Sequence, residues 1–128
     1  MSKGKLRWQC QNDGCFLENS LPDWGVLEDV FPRNVTPTDI DGLVEIGGRF
    51  LVFEWKRDGA ELTDGQEYAL TRLTKVSIKI SVIIVYGDSK TMDIQYIRVI
   101  HNGVSKGKEP CDLDEFKERC RRWSVRSP

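Results

Sequence analysis

Three residues in the middle of the chain have the types and spacing of a hydrolytic centre. Asp41 is followed, after twelve intervening residues, by Glu54-Trp55-Lys56. Two carboxylates that lie close together repel each other unless a cation lies between them, and Mg²⁺ binds through one or two carboxylates together with water and substrate phosphate. A nearby ammonium group can orient a water molecule, lower its pKa, or neutralise charge that develops on phosphorus. The pattern therefore predicts metal-assisted hydrolysis of a phosphodiester.

A β-hairpin is expected to bring these residues together. Two strand-like runs are joined by Gly47-Gly48, a typical two-residue hairpin turn. With the turn at these glycines, Asp41 pairs with Glu54 across the hairpin. Side chains alternate along a strand, so Glu54 and Lys56 point to the same face. Both carboxylates and the ammonium group should therefore meet at one end of the hairpin.

The alternative explanation for these residues is structural. Asp41-Gly42 could belong to a turn, and Glu54 with Lys56 could form an ion pair on an exposed strand edge. However, the apolar run at 50–53 is typical of a strand that is covered on both faces, and a carboxylate in a buried strand needs a reason to be there. We therefore favour an active site.

The rest of the chain predicts an α/β fold with a central mixed sheet of four or five strands flanked by helices. Thr63 and Gln66 fit a capping box, which predicts that a helix begins at Thr63. A passage from strand to helix to strand over residues 49–86 favours a right-handed crossover between parallel strands. The expected elements, in chain order, are a helix at 22–30, strands at 41–46 and 49–56, a helix from Thr63, strands at 78–86 and 92–100, and a helix at 113–123.

The pattern Asp41, then Glu54-Trp55-Lys56, resembles the core signature of the PD-(D/E)xK nuclease superfamily, over residues 36–86. This superfamily has a restriction-endonuclease-like fold and includes archaeal-type Holliday junction resolvases and small phage nucleases. The resemblance implies that Asp41, Glu54 and the backbone carbonyl of Trp55 bind Mg²⁺, with Mn²⁺ as a substitute. It also implies that Lys56 orients the attacking water.

The same resemblance implies further site residues. Gln66, at the start of the helix after the lysine, is expected to approach the active site. Many members add an acidic residue from their first helix; Glu18 is the favoured candidate here and Glu28 is the alternative. Asp39 could replace Asp41 as a metal ligand, although strand alternation favours Asp41.

These residues and the resemblance together predict an Mg²⁺-dependent endodeoxyribonuclease. Its candidate substrates include branched DNA, such as the four-way junction of DNA recombination, as well as flaps, nicks and unspecified duplex. The likeness to junction resolvases and the small size of the chain predict a homodimer, and that size would suit a phage protein. The alternative is a catalytically inactive module of this fold that binds nucleic acid or a protein partner. The complete set of Asp41, Glu54 and Lys56 argues against that alternative.

Length and composition predict one domain, spanning residues 1–128. No apolar run is long enough for a membrane helix, and the start of the chain does not resemble a secretory signal, which predicts a cytoplasmic location. The formal net charge of −1 argues against strong DNA binding unless basic residues gather on one face. Such residues do occur near both ends of the chain: Lys3, Lys5 and Arg7, then Lys117, Arg119, Arg121, Arg122 and Arg126.

The remaining reactive side chains have weaker signals. His101, the only histidine, is expected in an exposed turn before Asn102-Gly103. The four tryptophans are expected to pack against apolar neighbours rather than to stack on bases. The cysteines lack the tight paired spacing of common zinc sites, so buried thiols are favoured and a zinc-stabilised interaction domain is a third alternative. They occupy positions 10, 15, 111 and 120.

Overall fold

The computed structural model describes residues 22–126 of the chain. The chain divides into two compact units between Thr38 and Asp39, so a single domain over all residues stays a prediction. The predicted hairpin and every element after it belong to the second unit. Within the described range, no helix is long and apolar enough to cross a membrane.

The secondary structure of the first unit differs from the helix that the sequence predicts. Its described part contains two short 3-10 helices, Trp24–Leu27 and Pro32–Asn34, so the prediction of one helix at 22–30 is wrong. Asp23 caps the first of these helices by accepting a hydrogen bond from the backbone N–H two residues later at 2.9 Å. Asp29 then adopts a φ of 63°, which an α-helix does not accommodate.

The second unit is an α/β structure built on one mixed sheet, as predicted. Its elements, in chain order, are β1 (Gly42–Ile46), β2 (Arg49–Lys56), α1 (Asp64–Val76), β3 (Ile80–Asp88), β4 (Asp93–His101), β5 (Val104–Ser105), β6 (Glu109–Pro110) and α2 (Leu113–Ser124). The strand order is β1-β2-β3-β4-β5, and β6 also pairs with β4. Strands β2 and β3 are parallel, whereas the other pairs are antiparallel. The predicted parallel crossover through α1 is therefore confirmed.

The sheet has six strands instead of four or five. The two additional strands, β5 and β6, contain two residues each, which is too short for an alternating pattern to appear in the sequence. The four long strands and both helices begin within two residues of their predicted positions. The elements that carry the candidate site are thus the ones that the sequence predicts best.

Each face of the sheet carries its own apolar core. Alternate side chains of β2 supply both, with Val52 on the face covered by α1 and Leu51 on the face that packs with α2; we call these the α1 face and the α2 face. The α1-face core consists of Val52, Leu70, Val82, Ile84, Tyr86 and Ile100. The α2-face core consists of Leu51, Ile83, Val85, Ile94, Ile97 and Cys111, with Phe116 and Trp123 packed against it. Strand β2 is therefore covered on both faces.

Arg49, the first residue of β2, anchors the C-terminal end of α2. Its Nη1 donates to the Trp123 carbonyl at 2.7 Å and its Nη2 to the Ser124 carbonyl at 3.0 Å. The guanidinium also lies over the Trp123 ring, 4.7 Å from its centroid, and the residue is buried. A cation at this position satisfies the last carbonyls of the helix and complements its dipole.

Candidate active site

The hairpin brings Asp41 close to Glu54, as the glycine turn predicts. The paired register of β1 and β2 ends with Gly42 opposite Phe53. Asp41 directly precedes this pair, and its side chain contacts that of Glu54. The Asp41 N–H donates to the Phe53 carbonyl at 3.2 Å. At the other end, Gly47 and Gly48 have φ of 59° and 83°, the left-handed geometry that a type I′ turn requires. The turn chemistry thus sets the register that brings the two carboxylates together.

Asp41 is held by the backbone of β2. It is exposed, and its Oδ2 accepts a hydrogen bond from the Trp55 N–H at 2.7 Å. The N–H and C=O of one strand residue point to the same side of the strand, so the Trp55 carbonyl also faces this edge. A Cβ at position 42 would lie 3.1 Å from the Phe53 ring. Gly42 therefore lets β1 approach β2 closely beside the site.

Glu54 is the buried member of the carboxylate pair. It is 6% exposed, and its Oε1 lies 4.0 Å from Lys56 Nζ. Burial, followed by the negative charge of Asp41, raises the pKa of Glu54 to about 7, against the opposing effect of Lys56. Without a cation, this carboxyl therefore holds a proton up to about neutral pH. A divalent cation would favour its ionised form.

Lys56 is fixed by the first turn of α1. Its Nζ donates to Gln66 Oε1 at 2.9 Å, and the same oxygen accepts from the Thr63 N–H at 3.1 Å. Thr63 Oγ1 in turn accepts from the Gln66 N–H at 3.2 Å, so the predicted capping box is confirmed. The structure thus brings Gln66 to Lys56, on the same sheet face as Glu54.

Three further acidic residues are predicted candidates for the site: Asp39, Glu18 and Glu28. Asp39 is exposed and adds only a small charge contribution to the raised pKa of Glu54. Glu18 lies outside the described residues. Glu28 is an exposed residue of the first unit. A catalytic role for Glu18 or Glu28 therefore stays a prediction.

The oxygen atoms at the end of the hairpin fit a hard divalent cation. Among the described residues, no group of three or more His, Cys, Asp or Glu side chains could hold a metal ion. Mg²⁺, however, uses one or two carboxylates and completes its shell with water and substrate oxygens. Asp41, Glu54 and the Trp55 carbonyl provide such a set, with oxygen atoms only. They suit Mg²⁺ or Mn²⁺ better than a soft metal.

A polar network that the sequence did not predict lies beside the site. Tyr86 lies opposite Lys56 in the β2–β3 register, and its hydroxyl donates to Glu61 Oε1 at 3.0 Å. Lys108 Nζ lies 3.0 Å from Glu61 Oε2 and 4.1 Å from the centroid of the Tyr86 ring. These contacts hold the loop that connects Lys56 to α1. These contacts join residues that are distant in sequence, so no spacing pattern in the sequence indicates them.

Arg98 completes this network from β4. Its Nη2 donates to both carboxylate oxygens of Glu67, at 2.9 and 3.0 Å, and to Ser105 Oγ at 2.6 Å. The sequence signal for this network is a single arginine between Ile97 and Val99, in a strand-like run. A charged side chain in such a run needs partners. The pair ties α1, whose first turn holds Gln66, to the sheet.

The structure places His101, Cys111 and Cys120 away from the candidate site. His101 is the last residue of β4 rather than a turn residue; it is exposed, and its Nδ1 lies 2.9 Å from Ser81 Oγ. Cys111 and Cys120 are unpaired thiols associated with the α2-face core. The other two cysteines lie outside the described residues, so the zinc alternative stays untested.

Comparison of the chain with models of known protein families, with curated proteins and with solved structures finds no match. Membership of the PD-(D/E)xK superfamily therefore stays a prediction, based on the spacing of Asp41, Glu54 and Lys56. The α/β architecture is established from the structure itself.

Proposed function

We propose that this chain is an Mg²⁺-dependent endodeoxyribonuclease of the PD-(D/E)xK class. One observation carries the proposal: Asp41, Glu54 and Lys56 converge at one end of the hairpin, and Glu54 is 6% exposed. An exposed ion pair does not explain this arrangement. A buried carboxylate beside a second carboxylate is costly, and a cation-binding role accounts for that cost.

Each residue of the site has its own role in hydrolysis. A divalent cation supplies, when bound, Lewis-acid activation of the scissile phosphate. Asp41, Glu54 and the Trp55 carbonyl provide its protein ligands. Lys56 Nζ orients the attacking water and offsets negative charge that develops on phosphorus. Gln66 keeps the ammonium in place through the hydrogen bond to Lys56.

Cleavage of supercoiled plasmid and of a synthetic four-way junction, with Mg²⁺, Mn²⁺ or EDTA, tests this proposal. Glu54→Gln and Lys56→Met should each lower the cleavage rate by about 100-fold or more. Glu45→Gln and Lys79→Met are matched controls, because both residues are exposed. Glu45 lies at the turn end of the hairpin, and Lys79 directly precedes β3, so neither belongs to the site. Both controls should cut like the wild type.

Two outcomes would contradict the proposal. The first is a folded Glu54→Gln variant that still cuts at the wild-type rate. The second is a wild type that binds DNA without cutting any substrate in either metal, which would favour the inactive binding module. Preference for the junction over plasmid would assign branched DNA, and a role in recombination, as the substrate class.

We also propose that the enzyme is a homodimer that pairs through β1. This strand lies at the edge of the sheet and exposes Leu43, Val44 and Ile46. Natural proteins usually protect an edge strand with charge or cover, and a second copy would provide that cover. Val44→Lys should shift the sedimentation of the protein from dimer to monomer. A wild type that sediments as a monomer at all concentrations would refute the dimer.

A cytoplasmic site of action completes the proposal. Its support is the pair of thiols, Cys111 and Cys120, which stay unpaired as is usual in a reducing compartment. Fractionation of cells that express a tagged chain tests it. Recovery of the tag in a secreted or membrane fraction would overturn it.

A further inference from the structure

A cavity of about 450 Å³ lies on the α2 face of the sheet. This volume is typical of small-molecule sites, which span about 300 to 1,000 Å³. The floor of the cavity is apolar and includes Leu51, Ile83, Val99 and Trp123. Leu51 and Glu54 are an odd number of positions apart on β2, so their side chains point to opposite faces. The cavity is therefore separate from the proposed active site.

The rim of this cavity carries more cations than carboxylates. Beside the His101 ring, the cations that line it are Lys106, Arg119, Arg122 and Arg126. Glu109 is the one carboxylate among the lining residues of the described chain. Since the whole chain has a net charge of −1, this is a local concentration of positive charge. A concave surface with such charge attracts anions.

Two of these cations are available to a ligand. Arg119 is paired with Glu109 and with a glutamate of its own helix, and Arg122 is paired within the helix. Over residues 22–126, Lys106 and Arg126 take part in no ion pair, and both are exposed. An anion could thus contact them without breaking an existing pair.

We propose that this cavity binds one nucleotide, either free or at the phosphorylated end of a strand. The base lies on the apolar floor beside the Trp123 indole, because bases stack well on aromatic rings. Lys106 and Arg126 hold the phosphate. An inorganic anion would leave the floor unused, and an aliphatic anion would not use the indole. The choice of a nucleotide over other aromatic anions rests on the proposed nuclease function.

The test measures dAMP binding to the full chain by calorimetry in EDTA. The double variant Lys106→Gln/Arg126→Gln changes only exposed side chains and should bind dAMP at least about tenfold more weakly. The matched control, Lys117→Gln/Arg121→Gln, removes two cations of α2 that line a neighbouring groove and not this cavity. The control should bind dAMP like the wild type, and circular dichroism checks that all variants fold.

Further arms separate this proposal from the nuclease function. The variant Glu54→Gln/Lys56→Met should bind dAMP like the wild type while it no longer cuts DNA. Loss of dAMP binding in that variant, with retention in Lys106→Gln/Arg126→Gln, would assign the nucleotide to the active site and overturn the proposal. A wild type that cuts DNA but binds no dAMP would overturn this proposal alone.

Two ligand comparisons complete the test. Inorganic phosphate should bind at least about tenfold more weakly than dAMP, because it lacks the base; equal affinity would overturn the proposed contact with the floor. A short oligonucleotide with a 5′-phosphate is compared with the same strand without it. If the phosphorylated strand binds more tightly than dAMP, the cavity is assigned to strand ends. If the phosphorylated strand does not bind, the cavity is assigned to free nucleotides.

Discussion

Lys56 Nζ and Gln66 Oε1 are joined by a hydrogen bond of 2.9 Å that links the end of β2 to the first turn of α1. The same amide oxygen accepts from the Thr63 N–H and so completes the capping box. One side chain therefore caps a helix and positions the ammonium group of the candidate site. These two roles of Gln66 can be separated by experiment.

Replacing Gln66 with leucine should lower the rate of DNA cleavage by about tenfold, because Lys56 loses the acceptor that orients it. The loss of half the capping box should also cost about 1 kcal/mol of unfolding free energy. Thr63→Ala removes the other half at a similar cost of about 1 kcal/mol and should leave the rate unchanged. Equal loss of rate in both variants would show that helix capping alone matters.

Glu54→Gln should stabilise the metal-free protein above pH 7 and have little effect near pH 4.5. The pKa of Glu54 is raised from 4.5 to about 7, so the folded protein binds this proton more tightly than the unfolded chain. The resulting stability is present below pH 4.5 and is lost as the pH rises through 7. The gain from the substitution at pH 8 should not exceed about 3 kcal/mol.

Urea denaturation in EDTA at pH 4.5 and pH 8 measures this effect. Asp58→Asn is the control, because it removes an exposed carboxylate from the loop after Lys56. Its effect on the free energy of unfolding should be small and similar at both pH values. If Glu54→Gln gave the same change at both pH values, the buried carboxyl would not be the titrating group.

Mg²⁺ or Mn²⁺ should raise the melting temperature of the wild type, because a ligand that binds only the folded state stabilises it. The apparent affinity should increase as the pH rises through about 7, since Glu54 must lose its proton to bind a cation. Scanning calorimetry with Asp41→Asn and Glu54→Gln should show no such shift, whereas Glu45→Gln should retain it. A shift that persists in Glu54→Gln would mean that the metal binds elsewhere.

Arg98→Met should lower the free energy of unfolding by about 2 kcal/mol, because the hydrogen bonds from its Nη2 to both oxygens of Glu67 are charge-assisted and partly buried. Arg72→Met provides the comparison on the exposed surface of α1, where a change of at most about 0.5 kcal/mol is expected. Urea denaturation at neutral pH measures both. Equal effects would show that the network adds no stability beside the site.

The hairpin and the crossover could be predicted because their signals are local. Gly47 and Gly48 set the turn, and the register that brings Asp41 to Glu54 follows by counting. The capping box at Thr63 likewise depends on residues three positions apart. Residues 41–66 thus contain the side chains of the candidate site.

The parts that could not be predicted depend on distant or very short segments. Arg98 and Glu67 are 31 residues apart, and Tyr86 and Glu61 are 25 residues apart; only the folded sheet brings them together. The helix expected at 22–30 is interrupted at Asp29, whose φ is positive. Strands β5 and β6 each pair with β4. Two residues are too few to show the alternation of apolar and polar side chains that predicts a strand.

Strand β2 presents its side chains alternately to two different surfaces, the candidate active site and the α2-face core. A deletion or insertion of one residue within β2 would turn every following side chain to the opposite face. Glu54 and Lys56 would then point towards Phe116, and Phe53 and Trp55 would point towards α1. A deletion or insertion of two residues would return the side chains to their original faces but would move Glu54 away from Asp41. The length of β2 is therefore constrained by both faces of the sheet at once.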